Sequence, residues 1–182
     1  LRTSIMEFPF VAESADSASK KLWAMRTGAL AEDWKEFKLA ALHCHNPGLF
    51  HTRDKALKAI EDVKGLRMRA PNPSTQALLA FLGATPVGMP PGQVYENLQK
   101  GVIDGAVFPW DAIKGFRLEN SLKHHLDARV YTACFHLVMN PQRFAALAPE
   151  VRKAIDGAIG QPLVERFGEH GNNRATFFTN DG

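Results

Sequence analysis

Between Gly65 and Trp110 the apolar and polar positions switch period four times, with almost no residues left over for loops. Leu66 to Ala70 alternates as a strand, with Leu66 and Met68 on one side and Arg67 and Arg69 on the other. Asn72 followed by Pro73 is an N-cap with proline at the first helical position, and Gly83 marks the helix end. Pro86 to Met89 reads as a second strand. A second helix starts near Pro91-Gly92, carries Val94, Tyr95 and Leu98 on one face, and stops at Gly101. Asp104-Gly105 turns the chain into a third strand, Ala106 to Phe108, which Pro109 ends. Two strand–helix–strand crossovers in succession predict an α/β fold with a parallel sheet and right-handed connections.

Outside this region the pattern is sparser. Ser14-Ala15-Asp16-Ser17 reads as a helix start, followed by Ala18, Leu22, Trp23 and Met25. Phe37 to His43 reads as a strand broken by Pro47-Gly48, and Phe50 to Thr52 as a short extended piece. Lys55 to Val63 reads as a small amphipathic helix or turn, Ala112 to Leu118 as helix or loop, and Leu122 to Leu126 as a short basic segment. Val130 to Asn140 reads as one long strand. Asn140-Pro141 and Pro149-Glu150 each open a helix, and Gln161-Pro162 interrupts the second. Trp23 and Trp34 read as packing residues.

In open parallel sheets ligands bind beyond the carboxyl ends of the strands. Three such ends bring Arg69, the Met89-Pro90-Pro91 turn and Phe108-Pro109-Trp110 to one edge. A guanidinium beside a helix N-terminus, with two aromatic rings near, describes a pocket for an organic acid. The competing reading, an ordinary surface arginine with Phe108 and Trp110 in the core, stands beside it on pattern alone.

These residues also carry a resemblance. Lys64-Gly65-Leu66-Arg67-Met68-Arg69-Ala70-Pro71 resembles the D-x-K-G-x-K-x-R-x-P signature of the substrate-binding proteins of tripartite ATP-independent periplasmic (TRAP) transporters. The likeness continues through Leu82-Gly83-Ala84, Pro86, Met89, Val94-Tyr95, Leu98-Gln99 and Gly101 to Gly105. Glu7 to Val11 resembles the family's E-L-P-F-L-F segment, and Met139-Asn140 with Leu147 to Glu150 its later N … L-P-x-E segment. The resemblance implies a two-lobed, class II-like periplasmic binding protein whose first lobe is incomplete here. Residues 1–45 would belong to lobe one, 46–132 to lobe two, and 133–182 to the return to lobe one and the start of the C-terminal helices. It implies capture of a small organic acid in the periplasm, hinge closure, and delivery to membrane permease subunits, with no chemistry on the ligand and no cofactor. By resemblance Arg69 pairs with the ligand carboxylate and Asn72 lies near the ligand. Pro91, Phe108, Trp110 and His136 complete the candidate ligand-binding set. One departure stands out: where many members read D-G-Q-E-N-P, this chain reads Asp104-Gly105-Ala106-Val107-Phe108-Pro109. An aromatic ring in place of the amide points away from sugar acids and towards a smaller apolar or aromatic carboxylate.

Composition fits this picture and narrows the rest. The 182 residues are 45% hydrophobic and 23% charged with net charge +3, and the basic residues are scattered rather than gathered in a stripe, which speaks against nucleic-acid binding. Leu1-Arg2-Thr3 is no natural start and Asp181-Gly182 no natural end, so the chain is expected to be an internal piece of a secreted protein whose exposed lobe-one surface could support a dimer. Cys44 and Cys134 are the two cysteines; a bridge is open in an oxidising compartment, but nothing requires it, and two buried thiols is the plainer reading. His43, His45 and His51 lack recognised metal-ligand spacing, and His124-His125 reads as a solvated pair. The rival from another class is a small α/β hydrolase using Cys134 and His136, for which no orienting group or oxyanion loop is evident. A sensor domain of the same fold is the second rival. No glycine-rich nucleotide motif is present.

Overall fold

Ser14 sets where the first helix begins, its side chain accepting the Ser17 N–H at 3.1 Å. The computed structural model describes residues 2–11 and 13–179, so Asp181-Gly182, read above as an arbitrary end, lie outside the described residues. After a 3-10 turn at Arg2–Glu7 the chain forms α1 (Ala15–Ala24), a short α2 (Ala31–Trp34) and strand β1 (Lys38–Cys44). It then passes through β2 (Gly48–Thr52), β3 (Arg67–Ala70), α3 (Pro73–Phe81), β4 (Thr85–Gly88), α4 (Val94–Gln99), β5 (Gly105–Phe108), α5 (Trp110–Gly115) and β6 (His124–Tyr131). It closes with β7 (Cys134–Met139), α6 (Pro141–Ala145), α7 (Pro149–Ala158) and α8 (Gln161–Thr179). The chain divides into two units: Leu1–Asn46 with Thr132–Gly182, and Pro47–Tyr131.

The first unit is a two-stranded antiparallel ribbon, β1 with β7, against which α1 and α8 pack. Leu22, Trp23, Leu30, Trp34, Ala41, Leu42 and Val164 form its buried core. The chain breaks between α7 and α8 at Gly160, whose φ of +86° favours glycine and whose N–H donates to the Ala40 carbonyl at 2.8 Å. Pro162 therefore sits inside the first turn of α8, where a missing N–H costs nothing, rather than kinking a continuous helix.

Cys44 and Cys134 face each other in register across β1 and β7 and form a disulfide. This corrects the expectation of two free thiols. Strand pairing between residues 90 apart supplies the proximity, and sequence alone does not show that pairing. Replacing both cysteines with serine is expected to lower stability by about 2–4 kcal/mol, because the bridge closes a long loop in the unfolded chain. Urea unfolding with and without reductant measures it; an unmoved midpoint would contradict the expectation.

The second unit is a five-stranded sheet in the order β4-β3-β5-β2-β6. The β3, β4 and β5 strands are parallel, as the two crossovers predict. The sheet as a whole is mixed, because β2 and β6 join it antiparallel. Phe50 to Thr52 is thus no isolated extended piece but part of a strand buried along its whole length. The long run Val130 to Asn140 is two strands: it leaves β6 after Tyr131 and starts β7 at Cys134, on the other unit. Both crossover helices end in the same hydrogen-bonded motif. Gly83 (φ +79°) lets Ala84 N–H reach Leu79 O at 2.9 Å, and Gly101 (φ +66°) lets Val102 N–H reach Asn97 O at 2.9 Å. The Asp104 carboxylate clamps the start of β3, accepting from Arg67 N–H at 2.8 Å and from Arg67 Nε at 3.0 Å. That ion pair holds the Asp104 carboxyl below its ordinary range. Val94, Leu98, Ile103, Ala106, Phe108, Ile113, Leu118 and Leu122 fill the space between this sheet and α4 and α5.

Candidate functional site

Ligand-competent groups gather at the tips of the parallel strands of the second unit. Arg69 lies on β3, paired in register with Val87 and Ala106. Its side chain is 3% exposed and is held by oxygens of three other segments. Nε donates to the Met89 carbonyl at 3.2 Å and Nη1 to the Val107 carbonyl at 3.0 Å, while the Tyr131 side chain is a third hydrogen-bond partner. The guanidinium carbon lies 4.1 Å from the centre of the Phe108 ring, a cation–π stack. Burial lowers the Arg69 pKa from its ordinary value and Tyr131 pulls it back up; an arginine stays protonated in a folded protein. Among the described residues none of the ion pairs involves Arg69. The site therefore holds a desolvated positive charge neutralised by dipoles alone, an arrangement that an incoming anion would stabilise.

The other candidates fall around it unequally. Asn72 caps α3: its Oδ1 accepts the Thr75 N–H at 2.8 Å, so it lies just beyond the β3 tip with that oxygen already engaged. Pro91 opens the 3-10 turn Pro91–Gln93 that follows β4. Phe108 is 3% exposed and stacks on Phe116 as well as under Arg69. Trp110 starts α5. His136 lies on β7 in the other unit, packed edge-on against Trp34 at 4.8 Å. Its Nε2 is buried without a hydrogen-bond partner among the described residues, and burial lowers its pKa. The disulfide consumes the Cys134 thiol, which removes the nucleophile of the hydrolase reading.

Three residues at this edge were not in the sequence-derived set. Tyr131, buried against Gly48, reaches Arg69 from the last position of β6. His51, fully buried on β2, places Nε2 3.0 Å from the Phe108 carbonyl. A carbonyl only accepts, so Nε2 carries the proton, and Nδ1 must accept from His125 Nδ1–H, 2.7 Å away. The two consecutive carbonyls at the β5 tip, Val107 and Phe108, are thus taken by Arg69 and His51. His125 is exposed, in line with the expectation of a solvated His124-His125 pair, but its ring also packs 4.6 Å from Trp110 while its Nδ1 faces His51. Burial pushes the His51 pKa down to about 3, with the Phe108 carbonyl opposing and His125 reinforcing the shift. Nothing in the local pattern marks these three, because each depends on strands far apart in sequence. Among the described residues no group of three or more metal-ligating side chains is assembled, and no helix is long and apolar enough to cross a membrane.

Comparison with known proteins bears on the family and the fold. The chain is 36% identical to a marine metagenome TRAP solute binding protein specific for aromatic acid ligands, solved with 3-hydroxybenzoate, over 95% of this chain and 55% of that one, with a TM-score of 0.88. A TRAP solute binding protein from Rhodoferax ferrireducens T118, solved with copurified benzoate, is 34% identical over 98% of this chain and 59% of that one, with a TM-score of 0.85. The 2,3-diketo-L-gulonate-binding periplasmic protein YiaO of Escherichia coli K12 is 34% identical over 54% of this chain and 30% of its own length. The chain therefore spans little more than half the length of the structures it matches and less of YiaO. Residues 2–166 match DctP, bacterial extracellular solute-binding protein family 7. The resemblance read from the β3 signature onwards is thereby shown, the fold is that of the two-lobed TRAP binding proteins, and the chain belongs to this family of solute-binding proteins, not to the enzymes.

Proposed function

We propose that this chain is the ligand-binding part of a periplasmic TRAP solute-binding protein that captures a small aromatic or apolar carboxylate and passes it to membrane permease subunits. In this reading the Pro47–Tyr131 unit is lobe two, and the flanking segments belong to lobe one. The observation that carries it is the buried Arg69 guanidinium, stacked on Phe108 and paired with no carboxylate among the described residues. A planar fork suits a carboxylate, which can accept two parallel hydrogen bonds. Phe108 and Trp110 supply apolar surface next to it, where a polyhydroxylated sugar would find too few partners for its hydroxyls. The aromatic-acid ligands of the marine and Rhodoferax proteins support the same choice. Binding would bury the acid against Arg69.

Titration calorimetry of the intact protein with benzoate, 3-hydroxybenzoate and galacturonate tests the ligand class. The aryl acids are expected to bind at least about tenfold tighter, the equivalent of about 1.4 kcal/mol. Galacturonate binding as tightly as benzoate would refute the aromatic assignment.

A further inference from the structure

The ladder of the second unit lines up four residues across four strands. Arg69 of β3 pairs with Ala106 of β5, Ala106 with His51 of β2, and His51 with His125 of β6. Directly opposed residues project from the same side of a sheet, so all four share one face. Arg69 and His125 are three strand spacings apart, roughly 14 Å between their Cα atoms. Their side chains converge on one tip. Arg69 lies over Phe108, and His125 lies against Trp110, two residues further on.

The row also fixes the chemistry of His125. The Phe108 carbonyl sets the His51 tautomer, and His51 Nδ1 in turn requires the proton of His125 to sit on Nδ1. In a neutral imidazole that leaves Nε2 with a lone pair and no proton. Partial desolvation of the ring side facing His51 and Trp110 shifts the His125 pKa down, which favours that neutral state. The residue is exposed, and its Nε2 has no hydrogen-bond partner among the described residues. An acceptor of fixed direction thus stands beside the Trp110 ring, on the same face as a guanidinium.

We propose that His125 is a specificity-determining residue, its Nε2 accepting a hydrogen bond from a ring hydroxyl of an aryl carboxylate whose acid group is held by Arg69. This rests on the aryl-acid reading of the preceding section and deepens it to hydroxylated aryl acids. His51 is the positioning residue that holds the tautomer.

The test uses the intact protein and the affinity ratio of 3-hydroxybenzoate to benzoate. In the unaltered protein the ratio is expected to favour the hydroxylated acid, and 3-methoxybenzoate, which lacks the donor, is expected to fall to the benzoate level or below. In His125→Phe, which keeps a ring against Trp110, the ratio is expected to drop about tenfold, as for one lost hydrogen bond. An unchanged ratio in the variant would overturn the proposal, as would an equal loss for both acids, which a merely structural role produces. If the variant fails to fold, the methoxy comparison decides: equal binding of the hydroxy and methoxy acids overturns the proposal. Binding of benzoate with no preference for the hydroxyl overturns this proposal and leaves the aryl-acid reading standing. Absence of any aryl-acid binding overturns both.

Discussion

Replacing Arg69 with alanine is expected to weaken aryl-carboxylate binding by about 3–5 kcal/mol, upwards of a hundredfold. The size follows from what is left behind. In the complex proposed here the ligand carboxylate is desolvated on entry, and without the guanidinium it meets the carbonyl oxygens of Met89 and Val107, which repel it, with the Tyr131 side chain left as the nearby donor. Arg69→Lys keeps the charge but loses the fork and the flat stack on Phe108, so an intermediate loss is expected. Removing Arg69 also frees two strand-tip carbonyls, so thermal unfolding of each variant must accompany the calorimetry. Native-like unfolding with lost binding separates anchoring from folding. Ligand affinity unchanged in a folded Arg69→Ala protein would show that the acid group binds elsewhere.

The second large effect concerns acid. His51 has a folded pKa of about 3, against an ordinary unfolded value of about 6.5. Between those values the unfolded chain holds a proton that the folded chain does not, so acidification favours unfolding. Stability is therefore expected to fall as pH drops below about 6.5, by about 1.4 kcal/mol per pH unit from this one group, until pH approaches the folded value. The physical cause is burial of the ring, which disfavours the imidazolium; His125, facing Nδ1, reinforces the shift, and the Phe108 carbonyl bonded to Nε2 opposes it. His43, His125 and His136 are shifted in the same direction by burial and add to the slope. His51→Phe should flatten the pH dependence by one proton's worth between pH 6 and pH 4, measured by urea unfolding. An identical slope in the variant would mean that His51 does not titrate as the buried ring requires.

The sequence was most informative where chemistry is local. Asn72 with Pro73 and Asn140 with Pro141 announced their helices because a cap acts within three residues. Gly83 and Gly101 announced the helix ends because a left-handed residue is needed there. The parallel strands followed from crossover length. The antiparallel additions did not. The β2 strand is buried on both faces, so it shows no alternation, and its partners are reached only through long-range pairing. The same limit hid the disulfide, which needs the β1–β7 register. The placement of Arg69 and Phe108 near the tips of neighbouring strands was legible because both lie in one local run. The positions of Tyr131, His51 and His125 were not, since Tyr131 meets Arg69, His51 meets the β5 tip and His125 meets His51, each from a strand whose place in the sheet no nearby residue reveals. Val130 to Asn140 read as one strand because the break at Thr132-Ala133 carries neither glycine nor proline, although the change from one unit to the other falls there.

A structure of the intact protein with bound benzoate tests the central claim most directly. The carboxylate is expected within hydrogen-bonding distance of the Arg69 guanidinium, with the ring beside Phe108 and Trp110. A benzoate whose carboxylate is held by other groups, with Arg69 still bound only to Met89, Val107 and Tyr131, would contradict it.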